Sequence, residues 1–527
     1  MAQNDYELTQ SKTEVKSATG ARRTSGSGTF DSVIAGDVET LEQLGYEPSN
    51  LQRNRSTSTL LFQSLAICSI PYGLGGPLIN VIYGGGPLAL FVGWITVALL
   101  SQSVALSVAE LASRYPTSAG PYYWSFQIAS RGKTILSFVT GWTWIIANWT
   151  ITLSVNFGFA SLLAGTITMM EPSWVATPWQ LLLMFYGLLL FTAVVCIFAN
   201  RWLSIVDTCC AAFIGLTIVV TLIALSVEAK AGRHDAAYAL GHYEETFSGW
   251  GHFTFFIGLL PSAYVFCAVG MISGMAEECK DPSVRVPKAI GLTVPIQGVA
   301  GLFFILPICF TMAPLDEIIA APYGQALPVV FRSAMGSNAG GLGLLCLVLV
   351  VTIGCSLSIT VAASRCTWAF ARDNAIPGSR LWSQVDTKLG VPVNAIILVT
   401  IVEMLLGLIN IGSTSAFTAF VSVGVMALEV SYLIPIIISL FHGRREVNGA
   451  RYTCGPTIGP VVNYIAVGWI SFQAVLFSMP TALPVTSVTM NYASVVFVGF
   501  AVLSAIWYRI HARKVYKGPP VTDGIAA

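Results

Sequence analysis

From about residue 59 to residue 509, apolar stretches of about 20 residues follow one another with short polar breaks between them. A helix of that length crosses about 30 Å of hydrocarbon. The expected spans are 59–82, 87–111, 134–164, 178–198, 203–226, 253–277, 288–312, 343–370, 393–410, 415–440, 458–479 and 489–509, twelve in all. The third and eighth exceed the membrane thickness, which predicts tilt. Composition agrees: 54% of the 527 residues are hydrophobic and 10% charged, against about 25% charged in soluble domains. Mean hydropathy is +0.71. A soluble enzyme, a nucleic-acid binder and a disordered scaffold are thereby excluded. The net charge of +1 offers no field for a nucleic acid.

Basic residues orient the chain. An even number of spans puts both tails on one side, and placing the tails inside puts 24 of the 27 Lys and Arg there. Outside are Lys230, Arg233 and Arg332. Both termini are therefore expected in the cytoplasm. Residues 1–56 are polar and lack an apolar core behind a basic start, so the expectation is a mostly disordered tail with no cleavable signal. Within it, 37–45 has the pattern of a short amphipathic helix, and Arg22, Arg23, Thr24 and Ser25 resemble a kinase site. The sequons at Asn54 and Asn148 fall inside and in the membrane, so neither is expected to be glycosylated. The eleven cysteines show no CxxC spacing and nearly all sit in apolar runs, which predicts neither disulfides nor a metal site. No cofactor is expected.

Two spans carry helix breakers. The first holds Pro71, Gly73, Gly75, Gly76 and Pro77; the sixth holds Gly258, Pro261, Gly270 and Gly274. Proline lacks the N–H and glycine loses the most entropy in a helix. Irregular backbone at membrane depth persists only where it is buried in protein or lines a cavity. The breaks occupy corresponding positions in two five-helix halves, spans 1–5 and 6–10. That is the signature of a secondary transporter with inverted repeats.

Several stretches resemble a known family. They are 84–94, with Gly84, Gly85 and Gly86 ahead of Trp94; 107–124, with Glu110, Arg114 and the run Pro121 to Trp124; 275–290, with Glu277, Glu278 and Lys280; 369–385, with Arg372 and Asp373; 390–394; and 478–492. Their order and spacing resemble the amino acid–polyamine–organocation superfamily, in its fungal amino acid/choline transporter branch, over about 55–515. The resemblance implies an all-α integral membrane protein with the leucine-transporter fold: a ten-helix inverted-repeat core with helices 1 and 6 broken, plus two peripheral helices. It implies 57–440 as core, 441–510 as the peripheral pair and 511–527 as a second cytoplasmic tail. It also implies alternating access, commonly with proton coupling.

Under that expectation substrate meets the first break at Tyr72, Gly73, Leu74, Gly75 and Gly76, and the sixth span at Tyr264, Phe266, Cys267, Ala268 and Gly270. Polar stripes at four-residue spacing run along span 3 (Trp144, Asn148, Thr152, Asn156) and span 8 (Thr352, Ser356, Thr360, Ser364). Such stripes either line a path or join helices by hydrogen bonds; Trp144, Asn148 and Thr360 are the members assigned to substrate. Thr360 and Ser364 also match the hydroxyls that sodium-dependent relatives use. Two carboxylates lie mid-span, Glu403 and Glu429. Glu429 extends a polar face through Ser415, Thr418, Ser422 and Tyr432, which marks it as a proton carrier, an ammonium counter-ion, or a protonated carboxyl bonded to a neighbour. Glu403 sits on a peripheral span and is expected to pack or snorkel. Relatives that handle choline or GABA commonly carry an acid where this chain has Gly270.

Glu110 with Arg114, the pair Glu277 and Glu278 opposite Lys280, Arg285 and Lys288, and Arg372 form either an inner gate or a set of helix-end anchors. The expected function is transport of a small amine-containing solute, with a proton as co-substrate, in a plasma membrane. The alternatives are export of a specialised nitrogenous metabolite and a nutrient receptor on a transporter scaffold. The bilayer is the expected surrounding, nucleic acid is not a partner, and no oligomeric state is assigned.

Overall fold

The computed structural model describes residues 41–46, 55–230, 232–412, 416–486 and 490–520. Among them extended pairing is limited to two isolated bridges, Arg55 with Cys279 and Asp386 with Val391; the rest of the regular structure is helical. The basic motif at 22–25, the start of the 37–45 segment, Asn54, Ser415 and the chain after 520 lie outside the described residues. The end of the 37–45 segment, Leu41 to Gln43, is helical.

Among the described residues eleven helices are long and apolar enough to cross a membrane, so the protein is a multi-pass integral membrane protein. The first apolar stretch is not one of them, because it breaks into α1 (Thr57–Cys68), α2 (Ile70–Gly75) and a short helix at Ile79–Tyr83. The first rupture falls at Ser69, where φ is +23°, just ahead of Pro71. Pro71 has no N–H to give the Ile67 carbonyl. That carbonyl instead accepts from the Cys355 thiol at 3.1 Å, so the eighth span supplies what the proline withholds.

The next helices are α3 (Pro87–Arg114), the short α4 (Pro121–Ile128), α5 (Lys133–Met170), α6 (Pro178–Phe198) and α7 (Leu203–Glu228). With 38 residues, α5 is about 57 Å long at 1.5 Å per residue, as the tilt expectation requires. The sixth span is α8 (Leu260–Cys267) followed by eleven residues of 3-10 helix, Ala268–Glu278. Such helices seldom exceed three or four residues, and longer ones mark hinges or strain. The outer parts of the two broken spans meet glycine on glycine: a Cβ on Gly84 would lie 2.1 Å from the Gly258 Cα.

After these come α9 (Pro282–Phe310), which starts six residues before the expected 288 because Pro282 opens it, then α10 (Ala326–Met335) and α11 (Asn338–Arg372). The last four are α12 (Val393–Gly407), α13 (Ala416–Phe441), α14 (Gly455–Leu476) and α15 (Ala493–Trp507). The sixth span, α5, α13 and α11 are the most buried, and α7, α14 and α15 the least. Outer-facing Leu99, Phe198 and Phe441 are exposed, as a lipid-facing surface requires.

Both described chain ends gather on α4 and the start of α5. The Tyr123 hydroxyl donates to the Leu44 carbonyl at 2.8 Å, the Ser137 and Tyr516 hydroxyls pair at 2.7 Å, and the Gln127 amide donates to the Pro520 carbonyl at 2.8 Å. The ends therefore share one face of the bundle, called the terminal face below.

Candidate functional site

The core between the two broken spans holds polar groups without partners. Glu429 on α13 is buried, and among the described residues neither a cation nor a hydrogen-bond donor meets its Oε2. One turn on, the Tyr432 hydroxyl is also buried and unpaired. Its ring lies 5.6 Å from that of Trp144 on α5. The indole N–H of Trp144 has only the weak acceptor Cys366 near it. Asn148 donates to the Trp144 carbonyl at 2.7 Å, which leaves its own Oδ1 free. Thr360 on α11 and Ser273 in the 3-10 segment have unpaired hydroxyls. A native core pairs nearly all such groups, because each one left bare costs about 1–3 kcal/mol.

Gly270 closes this cluster. A Cβ there would stand 2.6 Å from the Tyr432 hydroxyl. The space beside Gly270 is thus filled by a phenol from α13, and Glu429 lies on the same helix face. Cys267 is within electrostatic reach of both Glu429 and Tyr432. The structure therefore brings Trp144, Asn148, Cys267, Gly270 and Glu429 together, with Tyr432 as a member the site assignment omitted.

The other assigned residues serve differently. The Tyr72 hydroxyl donates to the carbonyls of Ser154 and Val155, both at 3.2 Å, and the Tyr264 hydroxyl pairs with the Ser154 hydroxyl at 2.7 Å. The two tyrosines tie both breaks to α5. Phe266 faces away from the cluster, its ring 4.6 Å from that of Trp94 on α3. Gly75 also faces away: a Cβ there would come within 2.3 Å of Leu327 on α10. The N–H groups of Gly73 and Gly76 bond within the break, to the Ser69 and Tyr72 carbonyls. Leu74 and Ala268 are buried. Thr152 bonds its own helix, and Asn156 turns away toward Glu403.

The terminal face is closed by ion pairs different from those the spacing suggested. Glu110 pairs with Arg444, both carboxylate oxygens at 2.7 Å, and also accepts from the Cys454 N–H; Arg114 lies instead over the Tyr115 ring. Four-residue spacing put Glu110 and Arg114 on one face, but the loop after α13 brings a better-placed guanidinium. Glu277 takes a bidentate contact from Arg372, at 3.1 Å twice, rather than from Lys280, Arg285 or Lys288. Glu278 accepts from Arg365 at 2.8 Å and Arg55 at 3.1 Å. Arg55 also reaches Asp207 at 3.1 Å and Gln63 at 2.8 Å, and Asp207 accepts from Ser358 at 2.7 Å. This buried set links α1, α7, the 3-10 segment and α11. Arg55, assigned to the tail, lies within it.

Arg55, Asp207, Arg365 and Arg444 were all missed. Asp207 and Arg365 had a usable signal, since each is a charge inside an apolar run. Above this set, the Arg372 guanidinium stacks over the Tyr46 ring at 3.9 Å and the Trp368 ring at 4.5 Å. Tyr46 and Tyr122 donate to the Asp373 carboxylate at 2.9 and 2.7 Å. Burial pushes the Asp373 carboxyl above the ordinary carboxylate range, against the pull of Arg372 and the two hydroxyls. At the opposite end a cavity of about 420 Å³ opens between α5 and α10, lined by Thr168, Glu317 and Arg332 among others. Among the described residues no group of His, Cys, Asp and Glu could hold a metal ion, and all eleven cysteines are free.

The family described as amino acid permease matches residues 58–501. The choline transporter of Saccharomyces cerevisiae is 29% identical over 88% of this chain and 82% of its own length. The amino-acid permease BAT1 homolog of Oryza sativa subsp. japonica is 30% identical over 91% of this chain and 94% of its own. The GABA-specific permease of Saccharomyces cerevisiae is 28% identical over 96% of this chain and 89% of its own.

Proposed function

The chain belongs to the amino acid permease family of the amino acid–polyamine–organocation superfamily, a family of carriers and not enzymes, and on that premise we propose that it moves choline, GABA or a related amino acid by proton-coupled alternating access. The observation that carries this reading is the buried acceptor cluster at Gly270. Glu429 Oε2 and Asn148 Oδ1 have no donors among the described residues, and the Trp144 and Tyr432 rings, one on each of the same two helices, lie 5.6 Å apart. An ammonium group supplies positive charge and, unless quaternary, N–H donors, while its face rests on aromatic rings. Glu429 provides the negative charge that relatives place at the Gly270 position. Each unpaired acceptor then becomes a contact for substrate.

Twelve spans, with α1, α2 and the Ile79–Tyr83 helix forming the first, give the 5+5 inverted repeat with breaks in spans 1 and 6. The terminal face lies in the cytoplasm and the protein in the plasma membrane. The pairs Glu277–Arg372 and Glu278–Arg365–Arg55 form the inner gate. They separate when the site opens inward, and the 3-10 segment that carries both glutamates hinges at Ala268.

The test is uptake of labelled choline, GABA and a panel of amino acids into cells lacking their own amine permeases, with and without an uncoupler. Saturable, uncoupler-sensitive uptake of one amine is expected. With the protein confirmed at the surface, no uptake of any amine contradicts the reading.

A further inference from the structure

Glu403 on α12 is buried, and among the described residues it meets one polar side chain. The Asn156 amide N–H donates to its Oε2 at 2.7 Å. The Asn156 carbonyl in turn accepts from the Ser356 hydroxyl. All three residues are buried, and they join three helices: α12, α5 and α11. No Lys, Arg or His acts on the carboxyl. From α6, the neighbouring titratable group is Tyr186, whose hydroxyl is committed to the Met404 carbonyl at 2.9 Å. The charged groups of α11, Arg365 and Arg372, are engaged at the terminal face with Glu278 and Glu277.

A carboxylate without a counter-ion at membrane depth is costly. If Glu403 served only to hold helices together, a glutamine would do so at lower cost. The partner is suited to more than holding. A primary amide presents an N–H on one side and a carbonyl on the other. As found, its N–H faces a carboxylate. Rotated by half a turn, its carbonyl would accept the O–H of the carboxylic acid, and its N–H would donate to Ser356. Asn156 can therefore match either protonation state of Glu403, and the rotation reverses the hydrogen bond to α11. Asn156 lies two turns from Asn148 on α5, about 12 Å along the helix. Ser356 lies one turn from Thr360.

We propose that Glu403 is a proton-binding site of the transport cycle, and that Asn156 and Ser356 relay its protonation state to the α5–α11 contact beside the amine site. The proton enters from water onto a carboxylate oxygen and leaves as the same proton; no bond other than O–H forms or breaks. Asn156 is a positioning residue here, as it touches the proton site and not the substrate. Glu403 is separate from Glu429, which faces the amine. The coupling role rests on the transport reading above; the protonation itself does not.

Two measurements separate these. The first is infrared spectroscopy of the purified full chain in lipid nanodiscs, titrated from alkaline to acid pH. Wild type is expected to show a protonated-carboxyl band that E403Q lacks and that N156L shifts. A carboxyl spectrum in E403Q equal to that of wild type overturns the proposal, whether or not any amine is carried. The second compares accumulation with exchange in cells. E403Q, which mimics the neutral acid, is expected to keep exchange of internal for external substrate while losing accumulation by about tenfold or more. Wild-type accumulation in E403Q, or parallel loss of exchange and accumulation in E403Q and N156L, overturns it. Where E403Q does not reach the surface, the N156L band shift decides. If wild type accumulates no amine, the transport reading fails and the infrared result still judges the proton site.

Discussion

Gly270 illustrates what a single residue does and does not disclose. Its identity shows that no side chain leaves the sixth span there. The residue that fills the space, Tyr432, comes from a helix more than 150 positions later and carried no local signal of that contact. Gly270→Ala pushes a methyl group against the Tyr432 hydroxyl and is predicted to destabilise by about 1–3 kcal/mol. Y432A in the same chain should recover much of that loss, and additive losses in the thermal midpoint would contradict the contact. Asp373 gives a pH prediction. Its folded value is raised by burial, so between the ordinary value and the folded one the native state holds more protons than the unfolded state. Stability from this group is present at low pH and lost as pH rises through that interval. The slope of the melting midpoint with pH should flatten in D373N; an unchanged slope would remove Asp373 as its source.

At the scale of elements, the breaks were legible because proline and glycine act locally. Their exact form was not, because it depends on distant partners: Pro71 ends α1 where Cys355 can take up the stranded Ile67 carbonyl. The ion pairs failed for the same reason. Helical spacing joined Glu110 to Arg114, whereas tertiary packing joined it to Arg444. Removing one partner of the Arg55–Asp207–Glu278–Arg365 set leaves a buried charge uncompensated, at a cost of about 3–5 kcal/mol. Arg365→Ala should therefore loosen the terminal face and expose the buried thiols Cys267 and Cys366 to a membrane-permeant maleimide. Labelling as slow as in wild type would show that these pairs do not hold that face shut. Gly84→Ala places a methyl 2.1 Å from the Gly258 backbone, where no side chain can yield. It should lower thermal stability and uptake together, and a neutral G84A would contradict the close approach of the two broken spans.

For the whole molecule, hydropathy alone disclosed the bundle, since lipid as solvent leaves few folds available. With both termini proposed to be cytoplasmic, tags at either end should be reached by antibody only after permeabilisation, and labelling of intact cells at either end would contradict that orientation. The proposed amine site was only partly legible: Trp144 and Glu429 stood out in the sequence, Tyr432 did not, and Phe266 and Gly75 face elsewhere because the twist of each short helix is set by its neighbours. Glu429 is proposed to receive the amine. Equilibrium binding of labelled choline and GABA to the purified chain in nanodiscs, wild type against E429Q, tests it directly. E429Q is predicted to weaken binding of the preferred amine by about tenfold or more, as loss of a buried charge-assisted contact requires. Equal affinity in both proteins would contradict it.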